Sequence, residues 1–235
     1  MGRQRRRASG LTGRTYPWHT GAILAWGERL TCTAVLILGV AVAASVPTDA
    51  TAKSRRSCIR AHSKTVDQNG FARVYRVRTG EGTKLYACRR STGKRFLLHV
   101  AFDDDYVSSS SYRNVRLAGA FVAWAYTSTD VSCKADCPEG YNPTTSGIRV
   151  YDLRQRRSRT VSGAAPLGGA LVLSRLGGIA WASTSSSSSV EIRGSVRPGD
   201  DRLIDSGNID PRSLTIEITI ISWRREGVER FARLR

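Results

Sequence analysis

Reactive motifs, lysine and long apolar runs are what this sequence has least of. No G-x-S-x-G or P-loop pattern occurs, which removes the sequence signatures of α/β-hydrolase and P-loop nucleotide chemistry. No C-x-x-C pair is present, so thiol exchange has no support. Histidine is scarce: His62 and His99 stand apart from any evident Ser or Cys partner and read as surface or strand residues. No uncharged run reaches the ~20 residues that a membrane-spanning helix needs. Lysine is sparse and there is one Met, whereas Arg, Ala, Gly and Ser abound. GC-rich codon usage produces that bias. It explains the net charge of +18 without selection for a basic surface, although a preference for polyanions stays open as the alternative.

The first 52 residues set the expected compartment. A basic start, MGRQRRRASG, precedes the apolar core Thr31–Val46, which is short for a span but suits a secretion signal. Pro47 breaks the helix, and Ala50-Thr51-Ala52 offers the small side chains a signal peptidase accepts. Cleavage is expected after Ala52, with Ala41-Val42-Ala43 as second choice. The long stretch ahead of the apolar core suggests a start codon further downstream. An uncleaved anchor with its basic end inside is the alternative. Residues 53–235 then keep 31 basic and 17 acidic side chains.

Removing Cys32 with the leader leaves four cysteines, an even number that favours disulfides in an exported chain. Four allow three pairings. Spacing favours Cys133 with Cys137, closing a local ring in DVSCKADCPEG, and Cys58 with Cys88, tying an N-terminal arm to the first hairpin. C-x₃-C alone lacks the second ligand pair of a zinc site, so no metal is expected.

From Ser63 the chain reads as strands between turns. SKTVDQ, FARVYRVR, KLYACRR and KRFLLHV follow one another, with Asn69-Gly70 as a hairpin signal. A second pass runs VRLA, FVAWAY, IRVYDLR and SRTVS. A third runs ALVLSRL, IAWAS, VEIRG and DRLIDSG, with a flexible serine tip. A fourth, SLTIEI, IISWRR and VERFARL, is one strand short. Trp124, Trp181 and Trp223 recur 57 and 42 residues apart, each in an apolar, β-prone run. They are expected in the core between sheets, with sugar stacking as the alternative. Four-stranded units near a ~40-residue period are what propeller blades show.

FVAWAY and GIAWAS, followed by IRVYDL, resemble the repeats of WD40-like and TolB-like β-propellers. The resemblance covers about residues 60–235 and implies an all-β fold of about four antiparallel, four-stranded blades. The Ser-Pro-Asp-Gly turn and the His-to-Asp signature of those families are absent. The chain is also similar to uncharacterised exported proteins of GC-rich bacteria ending in a Ser-Trp-Arg-Arg run, a likeness that implies no activity. The expected organisation is a leader over 1–52, with its apolar core at 31–46, and an all-β repeat domain over 53–235. Repeats fall at about 60–101, 112–163, 168–208 and 211–235. Ring closure requires the arm around residues 53–62 to pair with the fourth sheet; otherwise the array stays open or the strands stack as a sandwich.

No catalytic, cofactor or metal constellation emerges. Leu203-Ile204-Asp205-Ser206-Gly207 resembles one half of an aspartic-protease site, which needs two copies, and reads as a turn. Asp103-Asp104-Asp105 and Asp200-Asp201 read as solvated loops. Arginines bunch at Arg154, Arg156, Arg157 and Arg159, and at Arg224, Arg225, Arg230, Arg233 and Arg235. Export argues against nucleic acid and points to anionic envelope polymers, lipid headgroups or another protein as partners. The expected function is an exported, non-catalytic binding or structural module at the cell surface. The competing class is an extracellular hydrolase of polysaccharide or peptide using a convergent pair among Asp103, Asp105, Asp152, Asp205 and Asp210.

Overall fold

Val, Ile, Tyr and Trp alternate with Arg, Thr and Ser along most of the chain after Ser63, the two-residue period that gives a strand one core face and one outer face. The computed structural model describes residues 57–104, 108–130, 142–185 and 189–235, and every regular element among them is a β-strand. The expected signal helix and cleavage positions, and Cys133 and Cys137, lie outside the described residues. No helix among the described residues is long and apolar enough to cross a membrane.

The first antiparallel meander comprises β1 (Ser63–Gln68), β2 (Ala72–Thr79), β3 (Gly82–Arg89) and β4 (Lys94–Asp104). The second comprises β5 (Ser108–Ala118), β6 (Phe121–Asp130), β7 (Thr144–Asp152) and β8 (Arg157–Ser162). A third sheet holds β9 (Leu171–Leu173), β10 (Ile179–Thr184), β11 (Val190–Ser195) and β12 (Arg202–Gly207), and a fourth holds β13 (Ile209–Glu217), β14 (Ile220–Arg225) and β15 (Val228–Arg233).

Three details differ from expectation. The ends of β4 and β5 pair from Phe102 with Ser110 to Asp104 with Ser108, so the first two meanders form one eight-stranded sheet. Asp103 and Asp104 therefore extend a strand instead of lying in a loop; satisfying backbone groups across a hairpin outweighs the poor strand propensity of Asp. Leu203–Gly207 lies within β12, which agrees with DRLIDSG as the last strand of the third pass and overturns only its reading as a turn, because its backbone pairs with β11. Strand β13 starts before Pro211, which sits where the register slips between Asp210 and Thr215, a place that needs no amide donor.

The tryptophans interlock the sheets. Trp124 and Val122 face the first meander and share a buried cluster with Ala72, Val74, Leu85 and Ala87. The opposite face of β6 carries Ala123, which shares a cluster with Trp181 of the third sheet. Behind Trp181, Ala180 and Ala182 face the other way and share a cluster with Trp223 of the fourth. Each Ala-Trp-Ala triplet thus sends its ring into the preceding sheet and leaves small side chains as a seat for the next ring. Gly194, paired with Ala180, extends that seat: a Cβ there would meet Leu234 at 2.5 Å.

Neither end of the stack repeats the pattern. In β14 the flanking positions are Ser222 and Arg224, which offer no apolar seat. The outer face of the first meander carries Tyr75, Val77 and Cys88, and residues 57–62 approach it instead of the fourth sheet. The first strands neighbour one another in chain order, β1 beside β5, β5 beside β9 and β9 beside β13. No strand pairing among the described residues joins the fourth sheet to the first.

Candidate functional site

The turns after the four first strands meet at one place. Asn69 follows β1, Leu117–Gly119 end β5, Leu173–Arg175 end β9 and Ile216–Ile218 end β13; together they line a cleft of about 480 Å³. Asn69 builds its turn with its side chain: Oδ1 accepts the amides of Phe71 and Ala72 at 2.8 and 2.9 Å, while Nδ2 donates to the Gly119 carbonyl at 3.1 Å. Neither Asn69 nor Gly70 has positive φ, so this hairpin is not the primed two-residue turn that Asn-Gly favours. Ser174 is buried, and its Oγ accepts the amides of Leu176 and Gly178. Ile218 is the unusual member: a β-branched residue at φ 51° with 63% of its surface exposed. Arg175 and Glu217, both exposed, bring one charge of each sign to an otherwise uncharged lining.

A second concavity lies on the outer face of the first meander. A disulfide joins Cys58 to Cys88, with Cα atoms 5.6 Å apart, and fixes residues 57–62 as an arm. The Arg73 guanidinium holds it in place by donating to the Cys58 carbonyl at 2.7 Å, Thr65 Oγ1 at 2.9 Å and Ser63 Oγ at 3.2 Å. Beneath it, Tyr75 and Tyr86 stack with ring centres 5.6 Å apart, and the Arg73 and Arg60 cations lie over the two rings. Burial raises the Tyr75 phenol. The arm separates a cleft of about 570 Å³, lined by Thr65, Gln68, Arg73 and Arg90, from one of about 760 Å³, lined by Thr92, Gly93, Lys94 and Arg95; Ser57 and Ile59 border both.

None of the clefts formed by the described residues is lined by two of the candidate carboxylates. Asp103 is exposed on β4, Asp105 lies outside the described residues, and Asp210 accepts the Arg212 amide in a bulge. Asp152 accepts the Arg154 and Gln155 amides and lines a cleft with Arg157 and Arg159. Asp205 binds across sheets, accepting Trp223 Nε1 and the Arg225 guanidinium at 2.8 Å each. Burial alone would raise its carboxyl, but the Trp223, Ser206 and Arg225 donors hold it below the usual range. Asp200, read as a loop residue, accepts Ser195 Oγ, while Arg159 donates to that same oxygen and to the Gly177 carbonyl at 2.8 Å, joining the second and third sheets. Among the described residues no group of three His, Cys, Asp or Glu is placed to hold a metal ion.

His99 corrects one expectation, since it has a serine partner: Ser110 Oγ lies 3.1 Å from its Nε2. The bulge between Leu85 and Tyr86 in the β3–β4 pairing and the β4–β5 junction bring the two together, with the Tyr112 ring edge-on at 5.4 Å. Burial, reinforced by the Arg149 cation, lowers the imidazole to about 4. A histidine so weakened, with a nearby cation in place of the carboxylate that a catalytic triad supplies, is a poor base for serine.

No family model and no curated protein matches this chain. Among solved structures, a prolyl endopeptidase is 14% identical over 77% of this chain and 30% of its own, with a TM-score of 0.40. A ligand-free isopeptidase is 12% identical over 70% of this chain and 32% of its own, with a TM-score of 0.22. The chain spans about a third of the length of these solved structures. Both scores lie below 0.5 and carry nothing about activity.

Sequence reasoning missed the cleft of converging turns, because Asn69, Gly119, Arg175 and Ile218 share no motif. The signal that could have found it was positional: each follows the first strand of a repeat.

Proposed function

We propose that the protein is an exported, non-catalytic binding module whose four strand repeats form an open, propeller-like array, with residues 1–52 as leader and 53–235 as the working domain. The observation that carries this reading is the meeting of four equivalent turns at one cleft, since radially arranged sheets bring the ends of their first strands to a common axis. Binding sites favour such places because loops carry recognition while the sheets stay rigid. Export is supported by the Cys58–Cys88 disulfide, a bond that persists in oxidising compartments. The non-catalytic reading is supported by the use of Asp152, Asp200 and Asp205 as structural acceptors.

The test is fractionation of cells producing the full chain with a C-terminal tag, combined with thiol trapping and surface proteolysis. Recovery outside the cytoplasm with Cys58 and Cys88 oxidised is expected, together with co-sedimentation of the purified protein with isolated envelopes. Charge reversal by Arg175→Glu and Glu217→Arg should weaken that sedimentation. Recovery in the cytoplasm with free thiols would overturn the reading.

A further inference from the structure

We propose that the arm-lined groove on the outer face of the first meander binds an acidic polysaccharide. The inference rests on the reading of the protein as an exported binding module, and concerns a different face from the cleft of converging turns.

Four cations border the two halves of the groove, Arg73, Arg90, Lys94 and Arg95, and no carboxylate lines either half. Their contacts are with neutral groups. Arg73 donates to a carbonyl and two hydroxyls, Arg90 to Gln68 Oε1 at 2.9 Å and Arg95 to the Ser57 carbonyl at 3.4 Å, while Lys94 lies over the Phe96 ring. The nearest acid on β1, Asp67, is turned to the second meander, where Oδ2 accepts the Leu117 amide at 2.9 Å.

Several other arginines of the molecule have acidic neighbours, whereas Arg116, like the groove cations, donates to carbonyls. Arg193 pairs with Glu191 and Asp201, Arg225 pairs with Asp205, and Arg224 stands opposite Glu229 and Asp210 in register. Arg157 and Arg159 share their cleft with Asp152. Codon bias spreads arginine over a surface; it does not sort the carboxylates away from one groove.

Geometry favours a chain over a single ion. Arg73, Cys88 and Arg95 are aligned on three neighbouring strands, which sets the two arginines roughly 10 Å apart at the usual strand spacing. One small anion cannot span that distance, whereas a polymer with regularly placed charges can. Single-stranded nucleic acid also carries regular charge but relies on exposed rings for base stacking. Here Tyr75 is fully buried and Tyr86 lies half-buried under Arg60, whereas the exposed apolar surface is Ile59. Uronate carboxylates suit the guanidinium forks of Arg90 and Arg95, which are free to add charged acceptors to weak neutral ones.

The test uses the full disulfide-bonded protein and a fluorescent oligogalacturonate, followed by anisotropy between about 50 and 200 mM salt. Saturable binding that weakens with salt is expected. The double variant Arg90→Ala/Arg95→Ala should lose at least about tenfold in affinity and lower the log–log salt slope by roughly one per cation removed. Both side chains are exposed, so its melting temperature should match the parent; if it does not, Arg95→Gln alone carries the slope measurement. Arg224→Ala/Arg230→Ala, which removes the same charge from the fourth sheet, should change affinity less than twofold. No binding at low salt, or equal loss in both double variants, would overturn the site. Equal or tighter binding of single-stranded DNA or of phosphatidylglycerol vesicles would overturn the ligand class, and full competition by millimolar inorganic phosphate would overturn the extended-chain reading. Each of these results leaves the fractionation test of the exported module untouched.

Discussion

Filling a tryptophan seat should damage the protein only while the tryptophan is there. Ala182 is buried on the face of β10 that shares a cluster with Trp223, and Trp223 is 4% exposed. Ala182→Leu adds three carbons to a filled space and should cost about 1–3 kcal/mol. Trp223→Ala removes a ring that buries roughly 150–250 Å², about 4–6 kcal/mol by area and about 3–5 kcal/mol by analogy with measured truncations. In the double variant the leucine enters the vacated volume, so the combined loss should fall short of the sum by about 2 kcal/mol. Urea unfolding of the four proteins, followed by circular dichroism, measures that coupling. Ala123→Leu is the control, because Ala123 lies in the cluster of Trp181, and with Trp223→Ala it should be additive within about 0.5 kcal/mol. Additivity at Ala182 equal to the control would refute the interlock.

Phenylalanine substitutions should separate the tryptophans by their indole nitrogens: Trp223→Phe strips a donor from the Asp205 carboxylate, whereas the buried Trp181 Nε1 has no partner. The lost charged hydrogen bond should make Trp223→Phe the costlier by about 1.5–3 kcal/mol, read by urea unfolding. Ile218→Gly should relieve the left-handed backbone strain by about 1–2 kcal/mol and raise the melting temperature by roughly 2–6 °C, read by calorimetry. Breaking Cys58–Cys88, which are 30 residues apart, should cost about 3–4 kcal/mol on the loop-entropy model, seen as lower urea midpoints for Cys58→Ser/Cys88→Ser. Because the folded His99 titrates at about 4, below an unfolded value near 6.5, the unfolded chain binds the extra proton first and stability falls as pH drops from 6.5 to 4. His99→Gln should flatten the stability–pH curve in that window, and NMR titration of the ring should report the low value directly.

The strands were legible because alternation is local: FVAWAY and IAWAS need no distant partner to declare a two-residue period. The Cys58–Cys88 link was legible by arithmetic, once export set aside Cys32 and proximity paired the other two. Contacts made by register were hidden. His99 meets Ser110 through a bulge in the β3–β4 pairing, and Arg159 reaches Ser195 across 36 residues, with no periodicity to announce either. Asp205 drew two readings, a strand residue of DRLIDSG and a turn former beside Ser and Gly, and pairing with β11 decided for the strand. The ends of the stack were ambiguous for a related reason. Ser222 and Arg224 in place of alanines signal a face that receives no ring, but only once the alanines are recognised as seats.

Nuclear Overhauser contacts between tryptophan ring protons and labelled alanine methyls test the interlocking of the sheets most directly. Trp181 should show contacts to Ala123, Trp223 to Ala180 and Ala182, and Trp124 to Ala72 and Ala87 of the first meander. Indole rings with no alanine neighbours, or contacts within a single sheet only, would contradict the stacking order on which the proposed binding module depends.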